Sequence, residues 1–187
     1  MFSLLCPSVL VDARNRSGET PLILAAARKN DPIVSALIRS GADINATANN
    51  GLTPLHHASW NGRLNNARLL IDNGAEVNVC PRFWLTSLSA AASEGHTRVA
   101  SLLIQSGAEI SQVDRLGMTA LHWAVRYGHH HTISLLLKKG APINARTHSS
   151  ETPMDLALRE SLNSICDLIR RHGGKSGHSL HAHHAPS

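Results

Sequence analysis

The sequence predicts an all-α fold, a solenoid of stacked helix-turn-helix units joined by β-turn hairpin loops. Three observations predict it. First, whole columns of residues recur at a 33-residue step: Thr20, Thr53, Thr86, Thr119 and Thr152, with Gly41, Gly74, Gly107, Gly140 and Gly173 in phase. Second, apolar residues inside a unit follow helical spacing, as Ala67, Leu70 and Ile71 do at i, i+3, i+4. Third, the repeating apolar columns are small and aliphatic: Leu22, Leu55, Leu88, Leu121 and Met154, and Ala25, Ala58, Ala91, Ala124 and Ala157. Aromatics are only 3% of the 187 residues, so the core depends on close approach of backbones rather than on large side chains.

The elements follow in order. Residues 1–14 match the end of a second helix, with Leu4 and Leu5 in the register of Leu37 and Ile38, and read as a truncated leading repeat. Five units follow over 15–47, 48–80, 81–113, 114–146 and 147–173, the last ending the array. Residues 51–78 show the local logic. Gly51 suits a turn needing positive φ. Thr53 then caps a helix that Pro54 opens, because the hydroxyl accepts from orphan N–H groups and proline is preset for the first helical turn. This first helix ends by Gly62, a second carries the Ala67 stripe, and Gly74 closes it as a left-handed cap. Two short helices cannot bury their faces alone, so units must stack. The far end is capped by charge: Arg170 stands where Ile38, Ile71, Ile104 and Leu137 are apolar. Residues 174–187 form a His-rich tail of low apolar content, expected to be disordered.

The strings "GETPLILAA", "GLTPLHHAS" and "GMTALHWAV", with the closers "LIRSGADIN", "LIDNGAEVN" and "LLKKGAPIN", resemble the ankyrin-repeat family over about residues 12–173. Departures are local. The Thr-Pro-Leu-His string is complete only at 53–56; Ile23, Ser89 and Asp155 replace the His, and Ser87 and Ala120 the Pro. The turn glycine becomes Trp84 in the third unit and Ser150 in the fifth. Tryptophan is costly at positive φ, so the third turn is expected to be reshaped.

Composition bounds the chemistry. No apolar run approaches a membrane span, and the apolar start around Pro7 lacks a basic leader, so neither a membrane segment nor a signal peptide is predicted. Cys6, Cys80 and Cys166 are sparse and odd in number, which points to an intracellular setting, cytoplasm or nucleus, rather than a disulfide framework. The net charge is +5, but the basic residues are spread with no run beyond two, which argues against direct nucleic-acid binding. "GGKS" at 173–176 lacks the first glycine of a phosphate loop, where Ile169 stands. His129, His130 and His131 point about 100° apart on a helix and do not converge on a metal. No catalytic residue, metal site or cofactor is predicted.

What the resemblance implies is a noncatalytic scaffold or adaptor that binds another protein through turn tips and the exposed side of the first helices. Family register places five outward positions per unit there. In units two to four they gather apolar, aromatic and arginine residues: Leu52, Trp60, Arg82, Phe83, Leu85, Arg115, Leu116, Met118, Arg126 and Tyr127, with Trp84 beside them. Those residue types are enriched in interface cores, and none of the four lysines lies on this face. Trp123 is assigned inward, in the column of Leu24 and Leu156. Glu19, Glu151 and Glu160 sit toward the two ends of the array, and a partner with an apolar centre and acidic flanks near units three and four fits. A second reading is a regulatory subunit of a nucleic-acid-binding transcription complex, since "ASEGH" and "MTALHWA" are similar to stretches of an ankyrin-bearing transcription-factor subunit. A third is a truncated isoform of a larger ankyrin-repeat protein, or a chain that associates through its uncapped first repeat. The resemblance also implies possible asparaginyl hydroxylation at Asn45, Asn78 and Asn144, a series that Ser111 interrupts.

Overall fold

The computed structural model describes residues 11–29, 31–81 and 85–177. Among these the regular structure is helical throughout. Chain order gives α1 (Pro21–Ala26) and α2 (Asp31–Arg39), α3 (Pro54–Trp60) and α4 (Leu64–Asp72), α5 (Ser87–Ser93) and α6 (Thr97–Gln105). The array continues with α7 (Ala120–Arg126) and α8 (His130–Lys138), then α9 (Pro153–Arg159) and α10 (Asn163–Arg171). The two helices of a repeat pack on each other, each first helix packs on its counterpart in the next repeat, and the second helices do so from α2 through α8.

The first helices start where the threonines stand. Thr20, Thr53, Thr86, Thr119 and Thr152 are N-caps in extended conformation, and each side chain accepts the backbone N–H three residues on. The third residue returns the bond in different chemistry. His56 and His122 accept the cap N–H on Nδ1, at 3.2 and 3.1 Å, and Asp155 accepts it on Oδ2 at 2.8 Å. Ser89 instead receives the Thr86 hydroxyl at 3.1 Å. The departures at Asp155 and Ser89 therefore keep a side-chain bond to the cap, whereas Ile23 has none to give.

The predicted columns form the core. Leu22, Leu55, Leu88, Leu121 and Met154 are buried, and the alanine column is buried beside them. On the second helices Ala67, Ala100 and Ile133, and Leu70, Leu103, Leu136 and Ile169, are all buried. The column Ile38, Ile71, Ile104, Leu137 is only half-buried, so Arg170 replaces a partly exposed side chain, not a core one.

Polar ladders bind repeat to repeat. Asn45, Asn78 and Asn144 each accept the N–H of Glu76, Glu109 and Lys175 at 2.7–2.9 Å, and donate to the Gly74, Gly107 and Gly173 carbonyls. A second ladder starts the second helices of repeats 2 to 4. Arg63 Nε donates to the Ala27 carbonyl, His96 Nε2 to that of Trp60 and His129 Nε2 to that of Ser93. Gly62 is required here: a Cβ would stand 2.6 Å from the His96 ring, at φ +66. Residues 174–177, assigned to the tail by sequence, are held against the last repeat. Asp155 Oδ2 accepts the Gly177 N–H at 2.8 Å, Arg146 donates to the Gly177 carbonyl, and Gly174 is buried. Residues 178–187 lie outside the described part, as does the leading stretch 1–10.

The fifth turn keeps the left-handed backbone without its glycine: Ser150 has φ 63, where Gly18, Gly51 and Gly117 have φ 74–82. Ser161 does the same at φ 55, in the register of Gly62, Gly95 and Gly128. A left-handed residue with a Cβ costs roughly 1–2 kcal/mol. Ser150→Gly and Ser161→Gly are each expected to stabilise the fold by about 1 kcal/mol in urea unfolding, with m unchanged.

Candidate partner-binding face

Consecutive first helices and their hairpin tips make one side of the array. The tips of repeats 4 and 5 close on themselves through the Asp114 N–H to Met118 carbonyl bond (3.0 Å) and the Thr147 N–H to Glu151 carbonyl bond (3.0 Å). Neighbouring tips are also tied, Asn49 N–H to the Ser17 carbonyl (2.9 Å) and His148 N–H to the Leu116 carbonyl (3.0 Å).

On this face Trp60, Leu116 and Tyr127 are exposed, at 37%, 46% and 54%, and Arg115 and Arg126 are exposed with them. Leu52, Leu85 and Met118 are not: they are 8%, 8% and 3% exposed, contrary to the sequence expectation. They occupy the position just before each N-cap threonine, where an apolar side chain turns under the hairpin against the helix it precedes. They form cleft floors instead of protruding contacts. Arg82, Phe83 and Trp84 lie outside the described residues.

Three clefts run along the face. One of about 330 Å³ is lined by Leu52, His56, His57, Trp60 and Asn61. The next, about 340 Å³, lies among Trp60, Leu85, Leu116, Trp123 and Tyr127, with Glu94, Asp114 and Arg115 around it. A third of about 480 Å³ runs from Leu116 and Arg126 to Glu151, Arg159 and Glu160. Trp60 lines the first two and Leu116 the last two, so the three clefts stand in a row across repeats 2–5.

Trp123 corrects a second expectation. It packs on the core but is half-buried, and its indole forms part of the cleft. Its Nε1–H donates to Asp114 Oδ2 at 2.8 Å. Tyr127 stacks on it with ring centres 6.1 Å apart, and the Arg126 guanidinium lies 5.6 Å from the ring centre. Asp114 is itself buried, and its Oδ1 accepts the N–H groups of Leu116 and Met118 at 2.8 and 3.0 Å. One carboxylate thus fixes both the hairpin tip and the indole plane. The sequence signal for this pair was the indole N–H, which requires a partner when buried.

Five buried side-chain polar atoms are without a hydrogen bond: His56 Nε2, His57 Nε2, Ser59 Oγ, Asn66 Oδ1 and Ser87 Oγ. All belong to repeats 2 and 3. The contrast with His122 explains the first. Nδ1 accepts in both rings, so Nε2 carries the proton; that of His122 donates to the Glu151 carbonyl at 3.3 Å, 29 residues on. His56 lacks the matching bond, and burial drives its pKa down to about 4, the Val79 carbonyl opposing this and His57 adding to it. Burial also lowers His57 and His122, partly offset by Glu19 for the one and by the Glu151 and Ala145 carbonyls for the other.

No helix among the described residues is long and apolar enough to cross a membrane. Among the same residues no group of three His, Cys, Asp or Glu side chains is placed to hold a metal ion. His129 and His130 are turned to structural ends, His129 on the Ser93 carbonyl and His130 on Ser164 Oγ.

Comparison with known families agrees with this architecture. The family described as ankyrin repeats (3 copies) matches residues 1–79 and 88–177, and that described as ankyrin repeats (many copies) matches residues 62–104. The chain belongs to the ankyrin-repeat family. Repeats of this kind are generally protein–protein interaction modules and typically noncatalytic. No curated protein matches the chain.

Two outcomes are expected. His56 is neutral in the fold and gains a proton more readily when unfolded, so its contribution is present above pH 6.5 and lost as pH falls toward 4. Urea unfolding at pH 5 should show about 2 kcal/mol less stability from this group than at pH 7.5. Asp114→Ala removes three hydrogen bonds to one charged group and should cost about 2–3 kcal/mol, with a red shift of tryptophan emission as the Trp123 indole is released.

Proposed function

We propose that this chain is a noncatalytic scaffold that seats a segment of another protein across the face of repeats 2–4. The carrying observation is the row of clefts from His57 to Arg126, whose exposed walls are Trp60, Leu116 and Tyr127 over the floor of Leu52, Leu85 and Trp123. Aromatic walls held by a rigid helix array lose little side-chain entropy on binding, which favours affinity over the same area of flexible side chains. A cleft of about 340 Å³ takes one large apolar side chain of a partner with its neighbours along the groove. The sequence register assigns Arg82, Phe83 and Trp84, outside the described residues, to the same face, and Arg115 and Arg126 border it.

Asn45, Asn78 and Asn144 have both ends of the amide engaged between repeats. Hydroxylation there, if the chain is a substrate, acts on turns that open locally, and intact mass after incubation with an asparaginyl hydroxylase reads it directly.

The face is tested by affinity capture with the intact chain and with a Trp60→Ala, Phe83→Ala, Tyr127→Ala variant, once circular dichroism shows both folded. Bound aromatic anchors are worth about 2 kcal/mol or more each, so captured partners should weaken at least thirtyfold in the variant. Equal capture by both proteins assigns those aromatics to the scaffold. A partner that binds DNA, retained through this face, makes the chain the regulatory subunit of such a complex.

A further inference from the structure

Arg126 lies in the last turn of α7, between the Trp60–Tyr127 cleft and the groove toward repeat 5. Its guanidinium is set over the Trp123 ring, 5.6 Å from the centre, and among the described residues it has no ion pair and no hydrogen bond. The nearby carboxylates are committed elsewhere. Glu151 and Glu160 both pair with Arg159, and Asp114 accepts from two backbone N–H groups and the Trp123 indole. The guanidinium is therefore drawn to the Trp123 face by a cation–π contact while its donors are left open. A planar fork of this kind matches a carboxylate in two-point contact better than any point charge does. The remaining acid at the cleft is Glu94, at the end of α5 in repeat 3, which repels a carboxylate from that side and leaves Arg126 as its place.

We propose that the segment seated on this face is acidic: an apolar side chain enters the Trp60–Tyr127 cleft, and a carboxylate within a few residues is gripped by Arg126. This rests on the partner-binding reading above and adds the chemistry of the partner. The net charge of +5 draws such a segment in and makes its capture sensitive to salt.

The test uses the full chain on an array of synthetic 12-residue peptides, each with a central Leu or Phe and Glu, Gln or Lys at one to four residues from it. Wild type should retain the Glu peptides over their Gln and Lys counterparts, and Arg126→Gln should weaken them about tenfold, with Arg126→Lys between the two. Because Arg126 is exposed, neither variant disturbs the fold, which circular dichroism verifies. Peptides retained without preference for Glu, unaffected by Arg126→Gln but lost with Tyr127→Ala, overturn the acidic segment and leave the binding face standing. No retention of any peptide, or retention indifferent to Tyr127→Ala, overturns both.

Discussion

Close packing of one first helix on the next is the constraint from which the rest of this molecule follows. A helix of six or seven residues has no stability of its own, and neither does a pair of them. The alanine column Ala58, Ala91, Ala124 and Ala157 is wholly buried, and its small side chains let successive helices meet at short range. That contact repeats at each step and sets the spacing of the hairpin tips. It also dictates where large residues can go. With the interior reserved for Leu and Ala, aromatics such as Trp60 and Tyr127 are left on the open side of the array, where they become walls of clefts.

The polar network follows the same step and shows how unlike residues serve one need. In repeats 2 to 5 the third residue of the first helix bonds to the cap as histidine, aspartate or, by way of its hydroxyl, serine. The start of the second helix in repeats 2 to 4 reaches back to the preceding repeat as Arg63, His96 and His129. Among the described residues the network thins in repeats 2 and 3, where His56, His57, Ser59, Asn66 and Ser87 retain buried atoms without partners. An unmade buried hydrogen bond costs roughly 1–3 kcal/mol, so this is the least well satisfied step of the stack. It is also the step that carries the groove floor at Leu52 and Leu85.

Repeat 4 joins stability to recognition through a single carboxylate. Asp114 holds the hairpin tip by two backbone N–H groups and orients Trp123 by the third bond. Trp123 in turn carries Tyr127 on its ring and Arg126 above it. Three surface residues are thus pre-ordered from one buried acid, and the face meets a partner with little further loss of side-chain freedom.

The sequence by itself determined the helical repeat, its 33-residue step, the threonine caps and the buried Leu and Ala columns, because each follows from local chemistry repeated in register. It also located Trp60, Leu116, Arg126 and Tyr127 on the open side. Only the tertiary structure decided that Leu52, Leu85 and Met118 turn under their hairpins, and that Trp123 belongs to the cleft it was assigned away from. A register position states which side of a helix a residue occupies, not how deep the neighbouring repeat leaves it. Depth depends on side chains about 33 residues away: Ala90 and Trp123 share a column, yet the small one is buried and the large one reaches the surface, held there by Asp114.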